Sequence, residues 1–126
     1  MSTVTSSRIL IIDDEQFVAN LLAMILTDRG HKVVKAASVE EALPLFESNE
    51  FDIVFTDLAM PQTDGITGAA RIKERRPAIK VVLMSGYGAE TTGDRDGKGV
   101  IDAAIAKPFD MAEIDRTIKS VLSAES

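Results

Sequence analysis

The sequence predicts an α/β fold, a doubly wound five-stranded parallel sheet with five helices shared between its two faces. Three observations carry that expectation. Five short apolar runs rich in β-branched residues alternate with stretches of helical periodicity, and parallel strands need such crossovers. Several of these runs are nearly continuous, as suits strands covered on both sides. Right-handed crossovers collect the carboxyl ends of all strands at one edge, and two of the runs finish on acids, at Asp13-Asp14 and at Asp57.

Residues 1–7 are polar and read as a disordered lead, and residues 8–124 read as the single domain. Arg8-Ile-Leu-Ile-Ile12 is the first strand. From Glu15 to Arg29, Phe17, Leu21, Met24 and Ile25 recur at helical spacing with Val18 and Leu22 alongside, which predicts a helix burying a wide face on them. Gly30 closes it, and His31 reads as a solvated loop residue. Lys32–Ala36 is the second strand. Ser38 and Glu41 form a capping box for the next helix, in which Pro44 predicts a bend or a late start because it lacks the amide that a helix interior uses. Phe51–Thr56 is the third strand. Pro61 then excludes helix at the preceding residue, and Gly65 supplies freedom before the helix Ile66–Arg75, which Pro77 stops. Lys73, Arg75 and Arg76 near its end read as complementing a helix carboxyl terminus. Ile79–Met84 is the fourth strand, followed by Ser85-Gly86. A helix is expected between Gly86 and Gly99, but Gly88, Gly93, Gly97 and Gly99 make it short or mobile. Val100–Ala106 is the fifth strand, running into Lys107-Pro108, and Asp110 with Glu113 caps a last helix carrying Ile114, Ile118 and Val121.

Composition narrows the function classes. With 126 residues there is room for one core. The chain has no cysteine and one histidine, which excludes disulfides, thiolate metal sites, a cysteine nucleophile and a histidine-rich metal centre. A net charge of −6 and a pI near 4.7 argue against direct contact with nucleic acid. No run approaches membrane-spanning length and no signal-peptide layout opens the chain, so a cytoplasmic protein without membrane contact is expected.

The edge that collects the strand ends holds Asp13, Asp14, Asp57, Ser85 and Lys107. Three carboxylates in one place repel one another, and a hard divalent cation relieves this. Magnesium suits a set of oxygen donors without histidine or cysteine. One carboxylate could then act as nucleophile toward a phosphoryl group, with Ser85 and Lys107 placed to contact phosphoryl oxygens. Taken singly, Asp57 could be a turn former, Asp13 and Asp14 could cap a helix, and Ser85-Gly86 could be a turn. The force of the reading lies in their order and their placement at strand ends.

That ordered set, Asp13-Asp14, Asp57 with Pro61 and Gly65, Ser85, and Lys107-Pro108, resembles the bacterial two-component response regulator receiver domain across residues 8–124. The resemblance implies a flavodoxin-like (CheY-like) sheet of order 2-1-3-4-5. It implies that Asp57 is the phosphoacceptor, that Asp13, Asp14, Asp57 and the Ala59 carbonyl hold Mg2+, and that Ser85 and Lys107 read the phosphoryl group. The implied donor is a sensor histidine kinase or a histidine phosphotransfer protein, and the implied output is a switched surface for a downstream protein partner. Such a module is a signalling protein in a phosphorelay, and no enzymatic output is expected beyond self-phosphorylation and self-dephosphorylation. The chain reads as stand-alone, with a fragment of a hybrid kinase left open. Two departures stand out. The position three before the lysine, often aromatic in the family, is Ala104, and Ala59 and Tyr87 occupy positions that tune phosphoryl lifetime. Competing classes are a phosphorylation-independent receiver-like binding module, an aspartyl-phosphate phosphohydrolase and a flavin protein of the same fold. Ile12-Asp13-Asp14-Glu15 lacks the Asp-x-Asp spacing of dehalogenase-like phosphatases, and acids after the first strand would repel a flavin phosphate.

Overall fold

Alternation within the strands decides where the side chains go. The computed structural model describes residues 7–57, 65–85, 102–106 and 110–123. β1 (Arg8–Ile12), β2 (Lys32–Ala36), β3 (Ile53–Asp57), β4 (Lys80–Ser85) and β5 (Ala103–Ala106) form one parallel sheet in the order β2-β1-β3-β4-β5, as the family resemblance implies. Along β1, Ile9 and Ile11 enter one apolar cluster, while Leu10 and Ile12 enter another on the opposite face. All four are fully buried, so β1 is a core strand throughout these residues.

Helices cover both faces. α1 (Gln16–Asp28) and α5 (Met111–Ser123) pack Ala19, Leu22, Leu26, Ile114, Ile118 and Val121 against Ile9, Ile11, Ile53, Phe55, Val82, Met84 and Ile105. On the other face α2 (Val39–Ala42), α3 (Leu45–Ser48) and α4 (Gly65–Arg75) supply Val39, Ala42, Phe46, Ala69 and Ile72. α2 and α3 are the single helix expected after Ser38, interrupted around Pro44. Leu43 and Pro44 keep right-handed helical angles, and the amides of Phe46 and Glu47 bond to the carbonyls of Leu43 and Pro44 three residues back. The chain therefore bends there without leaving its helical path, because the missing proline amide is bridged by tighter turns. The helix expected within residues 86–99 lies outside the described residues. β5 starts at Ala103, with Asp102 in a bend, later than the sequence run implies.

The predicted caps form. The Glu41 amide donates to Ser38 Oγ at 3.1 Å, the Glu41 carboxylate accepts from the Ala37 amide at 3.0 Å, and the Glu113 amide donates to Asp110 Oδ1 at 2.8 Å. Gly30 adopts φ +94° after α1, the left-handed backbone that favours glycine at a helix end.

Two sequence expectations are corrected, and a third is refined. Of the α1 face read from the sequence, Leu22 is buried and Ile25 packs against the core, but Phe17, Leu21 and Met24 are 80%, 42% and 68% exposed. The buried residues of α1 are Ala19, Leu22 and Leu26. The helix is apolar nearly all round, so spacing alone could not choose the face, and the smaller Ala19 side chain turns toward the strands. His31 is half-buried rather than solvated, and its Nδ1 accepts the Ser7 amide at 3.0 Å. The cations at the end of α4 do serve a helix end, but chiefly one other than their own. Arg75 donates to the Leu43 carbonyl at 3.2 Å, and Arg76 donates to the Phe46 carbonyl, in the α2–α3 segment. Lys73 pairs with Asp102 at 2.9 Å, where the same Asp102 Oδ2 accepts the Val81 amide at 2.8 Å, so the ion pair joins α4 to the start of β5.

Candidate functional site

β1 and β3 are neighbours in the sheet, and Ile12 lies opposite Thr56 in their register. The next residue of each is therefore an acid at the carboxyl edge of adjacent strands. The Asp13 amide donates to the Ala36 carbonyl at 3.1 Å, which continues the β1–β2 ladder one residue past β1. Its Oδ1 accepts the Glu15 amide at 2.9 Å, which fixes the orientation of the carboxylate as the chain turns into α1. Asp13 is 2% exposed and Asp57 7%, while Asp14 is exposed. One carboxylate oxygen from each of Asp13, Asp14 and Asp57 lies within 4.8 Å of the others.

Carboxylates this close repel one another, and a bound cation would relieve that repulsion. Two unit charges at that 4.8 Å limit repel by about 3 kcal/mol at an effective dielectric constant of about 20. All three donors are hard oxygens, two of them set in a largely buried backbone frame, and the set fits an ion that takes one or two carboxylates and keeps several waters, as magnesium does. Zinc and copper sites would call for nitrogen or sulfur ligands instead.

The remaining predicted residues divide into two groups. Ser85 ends β4, one residue beyond Met84, which is the register partner of Asp57, so its backbone reaches the same edge as the acids. β5 finishes at Ala106, opposite Ser85. Lys107 and Ala59 lie outside the described residues, as do Met60, Pro61, Tyr87 and Pro108. Ala104 is half-buried in β5, opposite Leu83. Met84 is fully buried among core residues, so it packs rather than reacts. Two features of the site escaped a reading by side-chain type. The Glu15 backbone amide that orients Asp13 carries no side-chain signature, and Thr56, fully buried beside Asp57, looks like an ordinary strand residue.

A sheet of order 2-1-3-4-5 with an acid triad at its carboxyl edge defines a class, and comparison with known proteins gives it a family. The model of the response regulator receiver domain matches residues 9–119, and the chain belongs to that family. It is 29% identical over 119 residues to the chemotaxis protein CheY of Halobacterium salinarum, covering 94% of this chain and 99% of that protein. It is 31% identical over 122 residues to the sensor kinase CckA of Brucella abortus, where the match covers 95% of this chain but only 13% of the kinase. Among solved structures, the response regulator TrrA of Thermotoga maritima, in complex with Mg(2+)-BeF, superimposes with a TM-score of 0.81 at 29% identity over 91% of this chain and 98% of that one. Receiver domains are signalling modules of two-component systems. Among the described residues, no helix is long and apolar enough to cross a membrane.

Proposed function

We propose that this chain is a phosphoacceptor receiver in which Asp57 takes a phosphoryl group from a phosphohistidine. The observation that carries the reading is the convergence of the Asp13, Asp14 and Asp57 carboxylates within 4.8 Å across two adjacent strand ends. Asp13, Asp14, Asp57 and the Ala59 carbonyl would hold Mg2+, which supplies neutralisation of charge on the transferring phosphoryl group. A carboxylate oxygen of Asp57 attacks phosphorus, the phosphorus–nitrogen bond of the donor breaks, and its electron pair returns to the imidazole ring. The product is an acyl phosphate on Asp57. Ser85, from the end of β4, donates a hydrogen bond to a phosphoryl oxygen, and Lys107 offers a point charge to it. The burial of Asp57 and Asp13 and the backbone bond that orients Asp13 hold the reacting carboxylate and its neighbours in place before the donor arrives. The Mg(2+)-BeF complex of TrrA supports the metal part of this reading.

The donor is a histidine kinase or a histidine phosphotransfer protein, acting in the cytoplasm. Because Asp57 is only 7% exposed, a protein donor must rest on the elements that rim the edge. α1 begins at that rim and presents Phe17, Leu21 and Met24 uncovered to the outside, which offers an apolar footing next to the acids. Phosphorylation would then shift the population of a surface read by a downstream protein. Ala104 gives that shift no aromatic rotamer to use.

The test is intact mass after incubation with Mg2+ and a small phosphoryl donor such as a phosphoramidate. Gain of one phosphoryl mass is expected, with loss of the gain in Asp57→Asn and in chelator. Modification that persists in Asp57→Asn would place the nucleophile elsewhere. Absence of modification with both small donors and a panel of histidine kinases would leave a phosphorylation-independent binding module.

A further inference from the structure

The lone histidine sits at the end of the sheet opposite the acids, in a position that the phosphoacceptor chemistry does not use. His31 follows the left-handed Gly30 at the turn between α1 and β2, and its own amide donates back to the Leu26 carbonyl at 3.1 Å. That bond fixes the backbone under the ring. The Ser7 amide, immediately before β1, points at the ring and donates to Nδ1 at 3.0 Å. Ser7 is 2% exposed, and its carbonyl accepts the Lys32 amide at 2.9 Å. The start of β1 is thus tied to the α1–β2 turn by one side-chain bond and one backbone bond.

An imidazole nitrogen accepts a hydrogen bond only when it carries no proton, and in the imidazolium both nitrogens are donors. We propose that His31 is a proton-operated latch on the start of β1: closed while its ring is neutral and Nδ1 accepts the Ser7 amide, released when the ring is protonated. The charged groups around it come from several elements. Asp115 of α5 favours the imidazolium and is itself paired at 3.0 Å with Arg29, at the end of α1. Arg8 and Lys32, which follow Ser7 and His31 in the chain, are both exposed and screened by solvent. Burial of the ring pushes its pKa below the ordinary value, with Asp115 pulling the other way, so the neutral, bonded form prevails at neutral pH. Acid below the ordinary histidine range removes the acceptor and sets two N–H groups against each other. The ladder bond from Lys32 to the Ser7 carbonyl is unaffected by that proton, so release is local to the start of β1.

The experiment is a nuclear magnetic resonance titration of the full chain from about pH 8 to about pH 5, following the His31 ring and the Ser7 amide together. The protection factor of the Ser7 amide against hydrogen exchange should fall by about fivefold, the equilibrium worth of one ordinary hydrogen bond, with the same midpoint as the ring. The Asp102 amide, bonded to the Val81 carbonyl at 2.9 Å in another part of the sheet, serves as the internal control and should stay level. His31→Asn places a non-titrating oxygen near the position of Nδ1 and should make Ser7 protection independent of pH. Level Ser7 protection through the ring titration in the wild-type chain would overturn the latch, and this readout stands even if the variant folds poorly. A pH-dependent Ser7 amide that persists in folded His31→Asn would equally overturn it.

Discussion

α1 separates two properties that a single apolar helix usually confounds, and substitution on its two faces should show it. Leu22 is fully buried between the helix and the strands, whereas Phe17 is 80% exposed. Leu22→Ala removes a side chain that touches core on all sides, and such truncations cost about 3 kcal/mol when the surroundings relax only in part. For a domain of this size that corresponds to a fall in Tm on the order of 10 °C. Phe17→Ala removes a larger side chain but almost no buried area. Its expected effect lies within about 0.5 kcal/mol, since alanine's better helix propensity offsets the little packing that is lost. Urea unfolding of the two variants with unchanged m-values is the assay. The functional readout should invert the order: Phe17→Ala should slow phosphotransfer from a protein donor while leaving labelling by a small phosphoramidate intact. A loss of more than about 1.5 kcal/mol in Phe17→Ala, or less than about 1 kcal/mol in Leu22→Ala, would refute the assignment of faces.

Other perturbations test the supporting contacts. Gly30→Ala should cost about 1–2 kcal/mol from backbone strain alone, because its φ is +94° and nothing lies within 4 Å of an added Cβ, and Gly30→Asn should cost less; chemical denaturation measures both. Asp102→Ala should destabilise by about 2 kcal/mol, since it leaves the Val81 amide without its carboxylate acceptor and Lys73 without its partner. Asp102→Asn keeps an acceptor and should cost less than about 1 kcal/mol in the same experiment, because the partly exposed ion pair is discounted by solvent. The lowered pKa of His31 means that the unfolded chain takes the proton first. Its contribution to stability should be complete above the ordinary value of 6.5 and decline as pH falls toward the folded-state pKa, so the urea midpoint should drop over that window in the wild type and less in His31→Asn.

How far the sequence could be read depended on whether a pattern had one physical solution. β1 and β3 were legible because each is a short, continuous apolar run that must be buried on both faces, and an acid at the end of such a run has to sit at the sheet edge. The Ser38–Glu41 box, the Asp110 cap and the Gly30 turn were legible because local chemistry decides them. α1 was legible only in part: Leu22 and Ile25 face the core as read, but Phe17, Leu21 and Met24 satisfy helical spacing as well as Ala19 and Leu26 do, and only the strands settle which are covered. The role of His31 depends on a partner 24 positions earlier, and those of Arg75 and Arg76 on carbonyls about 30 positions earlier, which no local pattern encodes. Of the site, Asp13, Asp14 and Asp57 converge as read, and the edge position of Ser85 follows from the β4 register.

The strand order has a consequence for when the site can exist. Asp13 and Asp57 are brought side by side only because β2 is set outside β1, leaving β1 free to pair with a strand that the chain reaches more than forty residues later. Nearly half of the chain must be synthesised and its central pairing closed before the two carboxylates meet. The ability to gather a divalent ion is therefore a property of the finished sheet, absent from any early fragment, and a metal-dependent signal from this edge would serve as a reporter of β1–β3 closure during folding.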